Sequence, residues 1–378
     1  MSTEQLALVC IPVIFGSFML CLCAGRSPLY ARNEGTGRGA PLFPLLVLPV
    51  FFYGFVLVAM RPLDAGNDTV GYISTYNKLD HIADAWNVGA SIYGNTEILW
   101  WPLQNVLRYF LSPRAWLIAN YLFVFALAAL FYGVTARPFG IHAGLFALAF
   151  LTFFLVYTGN IMRQALATPI GALGLFLFFE RRFLRASMLI TVAIGLHWSS
   201  IIFLAAPLFT LRVFDRDGVY LGLPLLALAT STLSSSLIGH VVSLLGIPGI
   251  SDKFILYFLQ GHQSHIEAIW KTANFWICTV SSAAFLLIDR PSRSITRALH
   301  KFTLLLLSLV LFGISSADFS ERYMPYLLLI FPLQGALIAR RLRAPQTIRN
   351  FAFIGLFLLI GALVLLAKSS QYTLGYSL

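Results

Sequence analysis

The sequence predicts an all-α polytopic membrane protein, a bundle of about 10–11 transmembrane helices with one large extramembrane loop that carries an amphipathic helix. Three observations predict it. The chain of 378 residues is 58% hydrophobic and only 11% charged, where a soluble domain carries roughly a quarter charged residues. Its mean hydropathy is +0.81. Its apolar residues also gather into runs of roughly 17–25, the length that crosses a bilayer as a helix.

Taken in order, the candidate spans lie near 5–24, 41–60, 115–135, 140–158, 164–180, 186–210, 219–240, 272–289, 302–317, 323–339 and 350–367. The first run has neither a basic leading region nor a cleavage site, so it reads as a retained span rather than a signal peptide. Segment 219–240 contains Pro224, the Ser-rich STLSSS and Gly239. It reads as a re-entrant or broken helix, which is tolerated where backbone lines a cavity. Nothing outside the spans is large enough to fold apart, so residues 1–378 read as a single integral membrane domain. Cys10, Cys21, Cys23 and Cys278 all sit in apolar runs and imply neither a disulfide framework nor a metal site.

The net charge of +11 is that of a membrane protein with basic short loops, and no nucleic-acid partner is expected. Loop 25–40 holds Arg26, Arg32 and Arg38, and loop 180–185 holds Arg181, Arg182 and Arg185. Loop 289–301 holds Arg290, Arg293, Arg297 and Lys301, and loop 340–349 holds Arg340, Arg341, Arg343 and Arg349. The positive-inside rule makes these four loops cytoplasmic. The opposite side receives the N-terminus, the long loop 61–114, the turn 158–163, loops 211–218 and 246–271, and the short segment with Asp318, Glu321 and Arg322.

Loop 61–114 mixes acids (Asp64, Asp68, Asp80, Asp84, Glu97) with aromatics (Tyr72, Tyr76, Tyr93, Trp86, Trp100, Trp101). Carboxylates accept bonds from hydroxyls, and flat rings cover the apolar faces of pyranoses, so this composition suits a sugar. The plainer reading is an interfacial segment with an aromatic belt. EILWWPLQNVLRYFL (97–111) has helical spacing of apolar residues and reads as an amphipathic helix lying along the membrane.

Polar groups inside spans carry more information, because each costs free energy unless it is paired or used. Arg163 opens a span on the external side beside Asn160 and Gln164. A snorkelling end residue is the plain alternative, but Arg163 runs against the positive-inside trend. His197, in GLHWSS, lies about 18 Å along its helix from Arg185, in the outer half of the bilayer. It is either a packed core histidine or a group that moves a proton or meets a phosphate. Arg322, with Tyr323 and Tyr326, starts another span, and Glu321 is its candidate structural partner. The topology therefore predicts that Arg163, His197 and Arg322 approach one outer face as a cationic cluster, suited to a phosphate or pyrophosphate on a lipid. His262 and His265 in GHQSH read as a solvated loop rather than a metal site. No phosphate-binding loop, zinc motif, nucleophile elbow or dinucleotide fingerprint is present.

In order along the chain stand GNDTVGYISTY (66–76), EILWWPLQNVL (97–107), NIMRQALA (160–167), LHWSS (196–200) and ERYMPY (321–326). This series resembles the EpsG family of Wzy-like polysaccharide polymerases over most of residues 40–330. The most specific part is the Arg-Gln pair (Arg163, Gln164) followed by His-x-Ser (His197, Ser199). The resemblance implies a glycosyltransferase with a GT-C-like bundle in the bacterial inner membrane, its active site facing the periplasm. Loops 61–114 and 246–271 are then periplasmic. It implies undecaprenyl-pyrophosphate-linked oligosaccharides as donor and acceptor, membrane lipid as surroundings, and a chain-length regulator protein as a candidate partner. Products of this class are O-antigen, capsule or exopolysaccharide.

On that footing Arg163 and Arg322 are expected to take the donor pyrophosphate, with Gln164 and Asn160 beside it and Tyr72, Tyr76 and Tyr323 against the sugars. His197, Asp68 and Glu97 are the candidate bases, and Asp68 or Glu97 could instead orient the acceptor. Arginines beside a pyrophosphate leaving group do the work of a metal, so neither a metal nor another cofactor is expected. The alternatives are an O-antigen-type ligase, with the same donor and another acceptor, and a flippase. The absence of internal two-fold repeats speaks against the flippase.

Overall fold

The computed structural model describes residues 42–64, 67–81, 85, 87, 97–135, 161–233, 236, 237, 240, 244, 268–288 and 294–341. Candidate spans 5–24, 140–158 and 350–367 lie outside the described residues, as do Asn160, the GHQSH loop and most of 246–271. The described helices are α1 (Leu42–Met60), α2 (Asn67–Asn77), α3 (Trp100–Arg108), α4 (Pro113–Thr135), α5 (Met162–Phe179), α6 (Phe183–Leu196), α7 (Asp217–Ala229), α8 (Ala273–Ile288), α9 (Ser294–Phe312) and α10 (Ala317–Arg341). A 13-residue 3₁₀ segment, Trp198–Thr210, follows α6. Three of these helical stretches are long and apolar enough to cross a membrane: Pro113–Thr135, Met162–Phe179 and Phe319–Ala339. The protein is thus an α-helical membrane protein.

The chain forms two compact units, 1–85 with 102–169 and 335–378, and 86–101 with 170–334. In the first unit α1 packs on α4 through aromatic rings. Phe51 meets Phe125 edge-on at 4.9 Å, and Tyr121 donates to the carbonyl of Phe51 at 2.7 Å. Arg114, at the start of α4, donates to the Arg61 carbonyl at 2.8 Å and to that of Ala59. It thereby satisfies carbonyls left open where α1 ends. The α2 helix is held by Tyr76, whose ring stacks on Trp116 at 4.5 Å and whose hydroxyl donates to the Leu111 carbonyl at 2.8 Å. Arg108, the last residue of α3, reaches the Tyr76 carbonyl at 2.9 Å and the Asp80 carboxylate at 2.8 Å.

In the second unit the later half of α5 lies close against α6 because Gly171 and Gly174 leave room. A side chain at Gly174 would come within 2.9 Å of Ile190 Cγ1, and one at Gly171 within 2.9 Å of Phe203 Cε2 and 3.3 Å of Ala193 Cβ. Small residues at such contacts are how helices approach closely in a bilayer. Between α5 and α6 the chain turns at Arg181, in a left-handed conformation (φ 63°). The Arg182 N–H bonds the Leu177 carbonyl and the Arg181 N–H that of Phe178, each at 2.9 Å. This is a Schellman turn with arginine where glycine is usual, and it holds Arg181, Arg182 and Arg185 exposed. Helices α7, α8 and α9 line an apolar pocket of about 350 Å³ whose lining includes Leu225, Thr279, Leu286 and Leu311.

Three boundaries differ from the sequence reading. The run 186–210 is two elements, because His197 is extended (φ −151°, ψ 119°) between α6 and the 3₁₀ segment. Helix α9 begins at Ser294, inside the basic stretch read as a loop. Its apolar residues Ile295, Ala298, Leu299 and Phe302 recur at helical spacing, and Lys301 is buried. Helix α10 begins at Ala317, so Arg322 sits in its second turn.

Candidate functional site

In the first unit the site residues gather on α2. Thr69 and Tyr72 are one turn apart on one helix face, both buried, and each meets a buried arginine. The Arg163 Nε donates to the Tyr72 hydroxyl at 2.9 Å, with the guanidinium 5.1 Å from the Tyr72 ring centroid. That arrangement combines a hydrogen bond with a cation–π contact. Arg61 Nη2 donates to Thr69 Oγ1. Arg163 lies in the first turn of α5 and is 8% exposed, and Gln164 beside it is 1% exposed. A guanidinium bonded at Nε has its plane set by that partner. Asp68 is half-buried in the first turn of α2. Tyr76 is buried, and burial pushes its phenol up to about 12 while Arg108 pulls the other way. Its ring and hydroxyl are both engaged in holding α2.

In the second unit Glu97 Oε1 lies 3.0 Å from His197 Nδ1. Both residues are sealed from solvent, at 2% and 1% exposure. Helix α6 ends one residue before His197, whose N–H closes the helix on the Ala193 carbonyl at 2.8 Å. The Leu99 N–H donates to the Gly195 carbonyl at 2.9 Å, so the stretch before α3 is pinned to the end of α6. One turn into the 3₁₀ segment the Ser200 N–H bonds the His197 carbonyl at 3.1 Å, and Ser200 Oγ is 2.8 Å from the Tyr326 hydroxyl. Phe203 packs edge-on against Tyr326 at 4.8 Å. Arg322 lies one turn before Tyr326 on α10 and is half-buried, and Tyr323 is buried against Phe319 at 4.9 Å.

The structure thus joins Glu97 to His197 and Tyr72 to Arg163. Sequence reasoning named Ser200 and Tyr326 only as neighbours of His197 and Arg322, and did not single out Arg61, Thr69, Leu99 or Gly195. Arg61 just beyond a span, like Arg163 at the start of one, was a signal available to it. Among the described residues no group of three or more His, Cys, Asp or Glu side chains could hold a metal ion. A carboxylate on one imidazole nitrogen fixes the tautomer and stabilises the imidazolium, so the other nitrogen can take a proton.

The α-helical membrane protein thus holds a buried carboxylate–imidazole pair in its second unit and buried arginines in its first. The chain belongs to the EpsG family, whose model matches residues 45–378, and so to a family of polysaccharide-polymerase-like glycosyltransferases. No curated relative matches it. No solved structure matches it either.

Proposed function

We propose that the protein is a polysaccharide polymerase of GT-C type. It transfers a growing glycan from undecaprenyl pyrophosphate to the non-reducing end of a lipid-linked repeat unit, at the periplasmic face of the bacterial inner membrane. The observation that carries this reading is the sealed Glu97–His197 pair at 3.0 Å in a chain of this family. The acceptor hydroxyl oxygen forms the new bond to the donor's anomeric carbon as the bond from that carbon to the phosphate oxygen breaks. The pyrophosphate leaves with the bonding electrons, and His197 Nε2 takes the hydroxyl proton. Glu97 holds His197 in the tautomer that can accept it and stabilises the imidazolium.

Arg163, with Gln164, is assigned to the donor pyrophosphate, and Arg322 is assigned separately to binding phosphate. Asp68, Tyr72 and Tyr323 are assigned to orienting sugar and phosphate rather than to proton transfer. No metal is required in this scheme, since guanidinium groups take the leaving charge.

The test is polymer formation by purified protein in nanodiscs supplied with a lipid-linked repeat unit and resolved as a ladder on a gel. Wild type should elongate in the presence of a strong chelator. Glu97→Gln and His197→Ala should fold and bind the lipid yet lose about 10²-fold or more in rate, the scale of a positioned general base. Full activity in both variants, or a loss in chelator that added metal restores, would sink the mechanism. A single addition with no ladder would make the protein a ligase.

A further inference from the structure

Residues 97–99 meet residues 195–197 at the end of α6. The Leu99 N–H meets the Gly195 carbonyl at 2.9 Å. Two residues back on one side and two forward on the other, Glu97 Oε1 meets His197 Nδ1 at 3.0 Å. These two contacts join the last turn of α6 to the turn that leads into α3. Glu97 is two residues from Leu99, so whatever fixes Leu99 on the end of α6 also fixes the carboxylate on the imidazole.

Gly195 occupies the place where the two stretches touch. A Cβ there would lie 2.6 Å from both Leu99 Cδ1 and Leu99 Cγ, and 3.3 Å from Leu99 Cβ. Its backbone is not in the left-handed region, so conformational freedom does not demand glycine. Alanine at this helical position would itself favour the helix. The requirement for glycine is therefore space for Leu99. Its carbonyl is also one of the last four of α6, which have no partner inside the helix, and the Leu99 N–H supplies one.

We propose that Gly195 is a positioning residue for the Glu97–His197 pair: its missing side chain lets Leu99 seat on the end of α6, and that seat delivers Glu97 to His197. This rests on the reading of that pair as the proton-accepting group. A methyl at residue 195 pushes Leu99 and the residues before it outward, and Glu97 moves with them. A displacement of about 1 Å at a catalytic group costs on the order of 10²-fold in rate.

The experiment compares initial rates of polymer formation by the full chain in nanodiscs for wild type, Gly195→Ala, Gly195→Ala/Leu99→Ala, Glu97→Gln and Gly195→Ala/Glu97→Gln. Gly195→Ala is expected to lose about tenfold or more in kcat with little change in KM. Trimming Leu99 to alanine in the same chain removes the two atoms at 2.6 Å and should recover most of that loss. In the Glu97→Gln background Gly195→Ala should add less than about twofold, because both changes break one interaction. Losses that multiply would show a merely structural glycine and overturn the proposal, as would a wild-type rate for Gly195→Ala alongside an impaired Glu97→Gln. If Gly195→Ala does not fold, Leu99→Pro replaces it. That variant removes the donated N–H just before a helix, where proline is tolerated, and a wild-type rate for it overturns the proposal. Full activity of Glu97→Gln overturns the base assignment, and this inference falls with it.

Discussion

Arg163 and Tyr72, separated by 91 residues of sequence, meet through one hydrogen bond of 2.9 Å and one ring face at 5.1 Å. The pairing places a planar cation at the start of α5 with its orientation set by α2. Lysine at residue 163 would keep the charge and lose both the Nε–H donor and the flat face.

Arg163→Lys is therefore expected to raise KM for the lipid-linked repeat unit by about tenfold or more, since a charge-assisted bond is worth about 1.5–3 kcal/mol and each 1.4 kcal/mol is tenfold. Tyr72→Phe keeps the ring under the guanidinium and removes only the acceptor, so its rise should be smaller. Arg163→Ala should be the worst of the three. Equal KM values for Arg163→Lys and wild type, measured on the same polymer ladder, would show that a point charge suffices and that the fixed plane has no role in recognition.

The helices were legible because apolar runs and helical spacing survive in sequence. Leu42–Met60, Pro113–Thr135 and Ala273–Ile288 fall within two residues of the runs that predict them. Arg163, Glu97 and His197 were legible as polar groups in apolar surroundings, where burial needs a cause. Their pairings were not, since nothing in residues 97 and 197 separately records the contact that joins them. The break at His197 was hidden because Trp198–Thr210 is as apolar as α6, so hydropathy runs straight through it. The early start of α9 was hidden by its charges: Arg297 and Lys301 look like a loop until the apolar stripe is read. Gly195 was illegible for a different reason. A single glycine in a helical pattern has no meaning until the atom that would collide with its side chain is known.

The Ser200–Tyr326 bond ties the 3₁₀ segment after His197 to α10 at 2.8 Å, with both residues buried. Hydrogen bonds between helices in a bilayer contribute about 0.6 kcal/mol on average and about 1.7 at most. Tyr326→Phe and Ser200→Ala should each lower stability by roughly that amount, because each leaves the other hydroxyl without this partner. The double variant should cost less than the two losses added, with a coupling of about 0.6 kcal/mol. Unfolding midpoints in mixed micelles, taken as a double-mutant cycle, measure it. Strict additivity would mean that the two hydroxyls do not hold each other in the membrane.

Tyr76 gives the protein an alkaline sensitivity whose sign is fixed by burial. An exposed tyrosine ionises near 10, and in the fold the phenol is pushed up to about 12 because burial disfavours the charged ring. The folded chain thus holds its proton more tightly than the unfolded chain. The stability linked to that proton is fully present below pH 10 and is lost as pH rises from 10 to about 12. Ionisation would also remove the donor of the 2.8 Å bond to the Leu111 carbonyl, which anchors α2 under Trp116. Tyr76→Phe should be less stable than wild type at pH 8 by about 1 kcal/mol, the net worth of one such bond. Above pH 10 the gap should close, because phenylalanine has no proton to lose. Thermal midpoints of both proteins in detergent from pH 8 to 11.5 test this, and a gap that stays constant across that range would show that Tyr76 does not carry the alkaline limit.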